Sequence, residues 1–265
     1  MKILTIYDGT IQAKTALQYG LRKAKEQNGE VIVLHAFQSS RFIDYDAGPK
    51  AEEIARAEAA RHLNEAKAMI REAGQGVRVS IVSEDGEAEE AAVRLAAAER
   101  ADLLLASPRY KAIAKTAVCA VRIIPGAILV PVDSSDMLLA NKDHIIEEAK
   151  ATDSKVVLLG IVPMHLYSAG EKKELEEVRK GTASAVRKVR NALSEQGIDV
   201  SETIRSGYPD EEILKAAVDY AASLIMLPSG GKTPSELTKA AAILLDEPER
   251  ARTLPIQIMR TAAAS

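Results

Sequence analysis

The sequence predicts an α/β protein built from two parallel β-sheet domains in tandem, and three observations carry that prediction. Short β-branched runs alternate with longer stretches whose apolar residues recur at helical spacing, the pattern of strand–helix–strand units. The pattern occurs twice, with blocks of sequence repeated in order. The chain has 265 residues, 47% hydrophobic and 28% charged, enough for two domains that each bury a core.

In the first unit the runs at 2–7, 30–36, 78–83 and 102–106 read as strands. They are short and β-branched, which reads as buried parallel strands. Between them, 12–27, 50–73 and 87–99 carry apolar residues at helical spacing, with Ala, Glu, Lys and Arg filling the rest. Gly29 and Gly74 stand where helix stops belong. In the second unit the helices fall at 141–152, 171–196, 209–221 and 235–246, and the strands at 127–132, 155–162, 198–205, 223–227 and 255–259. Strand–helix alternation of this kind requires right-handed crossovers and a parallel sheet.

The repeat is specific. ILTIYDGT at 3–10 returns 125 residues later as ILVPVDSS, and EVIVLHAF at 30–37 returns at the same offset as KVVLLGIV. Further on, VSIVSEDGEAEEAAVRLAAAERADLLL (79–105) pairs with VSETIRSGYPDEEILKAAVDYAASLIM (200–226). Periodicity alone would not also align Asp8 with Asp133 and Gly86 with Gly207. The domains are therefore placed at 1–126 and 127–265. AILVPV (127–132) nevertheless stands where the first unit needs a last strand, so the units are expected to share or contest it, by a fused strand or by exchange with LPIQIM.

Composition excludes several functions. Thirty-five basic against 38 acidic residues give a net charge of −3, too little for broad binding to nucleic acid or an anionic membrane. There is no Trp and there are two Phe, too few aromatics for a single-strand stacking platform. One cysteine excludes an internal disulfide and a cysteine zinc cage. MKILTIYDGT has no basic leader followed by a long apolar stretch, and no apolar run reaches the 18 or so residues of a membrane span. A cytoplasmic protein is the expectation.

ILTIYDGTIQAKTALQYGLRKAKEQNGEVIVLHAF and ILVPVDSSDMLLANKDHIIEEAKATDSKVVLLGIVP, together with SEDGEAEEAAVRLAAAERADLLLAS and RSGYPDEEILKAAVDYAASLIMLPS, resemble the universal stress protein family in its tandem form. The resemblance covers essentially the whole chain. It implies Rossmann-like sheets of the adenine nucleotide alpha hydrolase type, in strand order 3-2-1-4-5, with the repeats packed as an internal pseudo-dimer. In the nucleotide-binding branch it also implies ATP at the carboxyl ends of strands 1 and 4.

Elementary topology points to the same place, because ligands of open parallel sheets bind beyond the strand ends where strand order reverses. Asp8 and Gly9 end the first strand of one unit; Pro131, Val132, Asp133 and Ser134 end that of the other. A carboxylate there can accept from a ribose or an adenine amine, or can simply hold a turn or cap a helix. After strand 4 the second unit reads Ser229, Gly230, Gly231, Lys232, Thr233, an anion nest ahead of a helix. Nucleotide-binding members of the family carry Gly, two residues, Gly, nine residues, then Gly-Ser or Gly-Thr at this point. The resemblance places Gly231 at the second glycine, Pro228 at the first, and Ala241 and Ala242 at the final pair. Met226 excludes a Walker A loop.

The corresponding stretch of the first unit, ASPRYKAIAKTAVCAV, has no glycine. Its Arg109, Lys111 and Lys115 could attract an anion but read first as a solvated helix face, and Cys119 reads as a core residue on a buried helix. The four histidines, 35, 62, 144 and 165, have no metal-ligand spacing, and no nucleophile elbow is present. These readings point away from an enzyme. They lead to a stress-response-type regulatory protein with degenerate nucleotide sites and weak or no ATP binding, partnered by an unidentified protein or a second copy of itself. The alternative is an ATP- or AMP-binding switch acting through the second unit.

Overall fold

The computed structural model describes residues 1–37, 48–132, 135–168, 170–229, 236–246 and 254–260. It divides into two compact units, Met1–Pro125 and Gly126–Ser265.

The first unit runs β1 (Lys2–Ile6), α1 (Ile11–Glu26), β2 (Glu30–Phe37), α2 (Gly48–Ala73), β3 (Arg78–Asp85), α3 (Ala88–Glu99), β4 (Leu103–Ala106), a 3-10 helix (Pro108–Lys115) and β5 (Ala120–Ile123). Its sheet is parallel, in the order β3-β2-β1-β4-β5. Period-two alternation sorts the strand residues onto two faces. Ile3, Val31, Val33, Leu103 and Leu105 pack with Ala13, Leu17 and Leu21 of α1 and Ala66 of α2. Leu4, Ile6, Ile32, Leu34 and Leu104 pack with Ala92 and Ala96 of α3 and with Tyr110 and Ile113 of the 3-10 helix. Helix α1 starts where the Thr10 hydroxyl accepts from the Ala13 amide at 3.2 Å, and Lys23 and Lys25 favour its carboxyl end.

The second unit repeats the plan: β6 (Ala127–Val132), a short α4 (Ser135–Ala140), α5 (Lys142–Thr152), β7 (Lys155–Val162), α6 (Lys172–Ser194), β8 (Val200–Ser206), α7 (Pro209–Asp219), β9 (Ala222–Ser229), α8 (Glu236–Asp246) and β10 (Ile256–Arg260). Its sheet is ordered β8-β7-β6-β9-β10 and is again parallel. Numbered within the unit, both sheets have the order 3-2-1-4-5. Gly86 and Gly207 follow β3 and β8 with φ of 136° and 156°, a backbone that side chains disfavour, so the aligned glycines have one shared cause.

Two readings need correction. The segment around Cys119 is not helical: Ala120–Ile123 forms β5, paired with β4 from Leu103↔Ala120 to Ala106↔Ile123. This strand is four residues long and carries a charged residue, and both features hide it from a hydrophobicity pattern. Arg122 is only 1% exposed; its guanidinium lies 4.4 Å from the Tyr19 ring centroid and donates to the Tyr19 hydroxyl. Because β5 completes the first sheet, that sheet does not need 127–132, and β6 pairs with β7 and β9 as the middle strand of the second. Arg109, Lys111 and Lys115 lie exposed on the 3-10 helix, a solvated helix face as read.

Candidate functional site

In the first unit the candidate site is the carboxyl ends of β1 and β4, where the strand order reverses. The chain leaves β1 through Tyr7, which is fully buried and whose amide donates to the Leu34 carbonyl at 2.8 Å. Asp8 follows. Its Oδ1 accepts from the Thr10 amide at 3.1 Å and the Thr10 hydroxyl at 2.6 Å, the bond pattern of an Asx turn, while Thr10 itself caps α1. Its Oδ2 accepts from the Tyr110 hydroxyl at 3.1 Å and faces Arg109 at 3.9 Å. Both carboxylate oxygens are therefore engaged by the protein's own donors, and the side chain is 11% exposed.

Two buried tyrosines adjoin Asp8. Burial, reinforced by the Asp8 charge, pushes the Tyr110 phenol up to about 12. Tyr7 is likewise pushed up to about 12, mainly by burial, and its hydroxyl contacts the Met69 sulfur at 3.9 Å. Both phenols stay protonated at neutral pH and serve as donors, not bases. His35, near the end of β2, is 2% exposed. Its ring meets that of His62 on α2 edge-on, with centroids 6.1 Å apart. The His62 ring in turn lies against Gly9.

Burial lowers the His35 pKa, His62 adds to the effect, and Asp8 opposes it. A base with a depressed folded-state pKa takes up its proton more readily in the unfolded chain. The penalty is thus absent above about pH 6.5 and grows as the pH falls from there toward the folded value. Urea unfolding at about pH 7.5 and about pH 5.5 should show a larger acid loss for the native chain than for His35→Gln. Equal losses would remove His35 as the origin of the effect.

In the second unit Pro131 and Val132 end β6, buried and paired with Leu159 and Gly160. Asp133, Ser134, Gly230, Gly231, Lys232 and Thr233 lie outside the described residues, and of Ser229 only the backbone, at the end of β9, is described. Pro228 pairs with Met259 of β10. Ala241 is buried and packs with Leu237 and Leu244 of α8 against Ile225 and Leu227, whereas Ala242 is exposed. Three side chains from separate elements meet beyond the sheet. His165, in a 3-10 turn after β7, stacks on Tyr208 at 4.4 Å between centroids and faces the Glu236 carboxylate at 3.6 Å. Lys239 holds the Glu236 pKa down, and His165 adds to this.

The structure thus brings Asp8 and Gly9 together with Tyr110, Arg109 and His62. Of the last three, Arg109 was weighed by sequence as an anion-attracting residue, whereas Tyr110 and His62 were not candidates. Tyr110 and Arg109 directly follow β4, so their place beside the end of β1 follows from the strand order. His62 carries no such signal. Among the described residues no group of three His, Cys, Asp or Glu side chains is placed to hold a metal, and no helix is long and apolar enough to cross a membrane.

Comparison with known proteins matches the Universal stress protein family model twice, over residues 1–113 and 126–239. A universal stress protein of Methanocaldococcus jannaschii is 30% identical over 114 residues, covering 41% of this chain and 67% of that protein. Among solved structures, a universal stress protein from Archaeoglobus fulgidus is 16% identical with a TM-score of 0.41, covering 100% of this chain and 97% of the other. An Arabidopsis thaliana universal stress protein family protein with AMP bound is 17% identical with a TM-score of 0.37, covering 47% of this chain and 90% of the other.

Proposed function

Because the chain belongs to the universal stress protein family, we propose that it acts as a stress-response-type regulatory or binding protein whose nucleotide sites are weakened, with little or no affinity for ATP. One observation carries the reading. The Asp8 carboxylate, the group at the end of β1 best suited to receive a ligand's donors, already accepts from Thr10 and Tyr110 and faces Arg109. A ligand would have to displace bonds that are made and partly shielded from water, so its net gain is small. The glycine-free loop after β4 in this unit also offers phosphates no close backbone approach. In the cytoplasm, the effector would be a protein partner or a second copy of the chain. The near-neutral net charge of −3 supports that over a polyanion.

A second reading is an ATP- or AMP-binding switch acting through the second unit, at Pro131, Val132, Asp133, Ser134 and Ser229 to Thr233. It is favoured by the sequence Ser229-Gly230-Gly231-Lys232-Thr233 standing between β9 and α8, with one family glycine retained.

Thermal melting with ATP, ADP and AMP separates the two. A ligand at 100 times its Kd adds about 2.7 kcal/mol. The first reading expects flat melting curves at millimolar nucleotide. A rise that Asp133→Ala abolishes and Asp8→Ala leaves intact would establish the second reading. A rise that Asp8→Ala abolishes would overturn the first.

A further inference from the structure

We propose that the His62 imidazole is a built-in stopper of the first-unit crevice: it wedges on Gly9 and excludes a nucleotide from the Asp8–Thr10 turn. The inference rests on the reading of that crevice as a weakened nucleotide site, and it adds a further residue that weakens it. Gly9 has φ of 78°, and a Cβ built on it would lie 2.4 Å from His62 Cδ2, 2.5 Å from Nε2 and 2.7 Å from Cγ. The ring therefore occupies the volume that any other residue type would fill at position 9, directly over the turn that joins β1 to α1.

Helix α2 holds the ring there. Ala66, one turn further on, is fully buried in the core, and Glu65 is paired with Lys14 of α1 at 2.9 Å. Beneath, the ring meets His35 edge-on, and on its outer side Arg61 lies 3.5 Å from Nε2. The buried Ala66 and the Glu65–Lys14 pair thus fix the α2 backbone from which the half-buried ring reaches Gly9. The device belongs to this unit alone by sequence: the position that repeats His35 is Gly160, which has no ring to support a wedge.

Two measurements test the stopper separately. The first needs no ligand. Gly9→Ala is strained at this φ in any background, but only the native chain adds the collision with His62. Its drop in melting temperature should be clearly larger in the native chain than in His62→Ala or His62→Ser. Equal drops in both backgrounds would overturn the wedge. The second measurement is calorimetric titration with AMP. His62→Ala, shown to be folded by circular dichroism, should bind AMP in the first unit at least tenfold more tightly than the native chain, and Asp8→Ala should abolish that gain. A non-additive Gly9–His62 cycle without any gain in AMP affinity would overturn the stopper while leaving the contact real. If the native chain already takes AMP in its first unit, with binding lost in Asp8→Ala, the reading on which the inference rests fails instead.

Discussion

Leu105→Ala will destabilise the first unit by about 2–5 kcal/mol, and adding Gly20→Ala will restore part of that loss. Leu105 is fully buried in β4, the strand between β1 and β5, and packs into the core that faces α1. Truncation removes transfer free energy and leaves a cavity under α1. Gly20 lies on the buried side of that helix because Leu105 needs the space: a Cβ at position 20 would come 3.0 Å from Leu105 Cδ1 and 3.6 Å from Ile3 Cγ2. In the native chain Gly20→Ala therefore sets a helix-propensity gain of about 1 kcal/mol against crowding. Once Leu105 is truncated only the gain remains, together with some refilling of the void. Urea unfolding of the four chains of the cycle measures the coupling. Additive effects would show that Gly20 is not there to admit Leu105.

Gly160→His will destabilise the second unit by at least the 1–3 kcal/mol typical of overpacking. A Cβ at Gly160 would lie 2.7 Å from Thr182 Cγ2, 3.0 Å from Val186 Cγ2 and 3.3 Å from Ile204 Cγ1. Here α6 rests directly on the backbone of β7, and a ring has no place. The repeat puts His35 at the same position of the first unit, where β2 carries the imidazole under α2. One sheet position thus sets how closely the covering helix approaches in each unit. Thermal unfolding of Gly160→His compared with Gly160→Ala tests this, and the loss should grow with side-chain size. Near-native stability of Gly160→His would mean that α6 is free to shift outward.

How much of this was legible in sequence depends on burial. Strands β6 and β7 fall at 127–132 and 155–162 as read, because central parallel strands are apolar on both faces and stand out from their surroundings. Strand β5 escaped because Arg122, which looks like a surface residue, is buried under an aromatic ring from α1. That Asp8 follows β1, the strand at which the order reverses, was legible, whereas Asp133, which the repeat aligns with it, lies outside the described residues. What surrounds Asp8 was not legible. Tyr110 bonds to Asp8 across 102 residues, and no local period encodes such a contact.

The sequence by itself determined that the chain is two α/β units of one plan, with parallel sheets and aspartates at the ends of their first strands. Those properties follow from hydrophobic periodicity, glycine placement and internal repetition, which are written residue by residue. Only the tertiary structure decided which side chains fill the first crevice. Tyr110, Arg109 and His62 converge on Asp8 and Gly9 from the 3-10 helix after β4 and from α2, and a close approach between distant segments is set by how helices settle on the sheet. At one repeated position the two units differ, with His35 meeting a ring of α2 in one and Gly160 leaving no room for a side chain under α6 in the other.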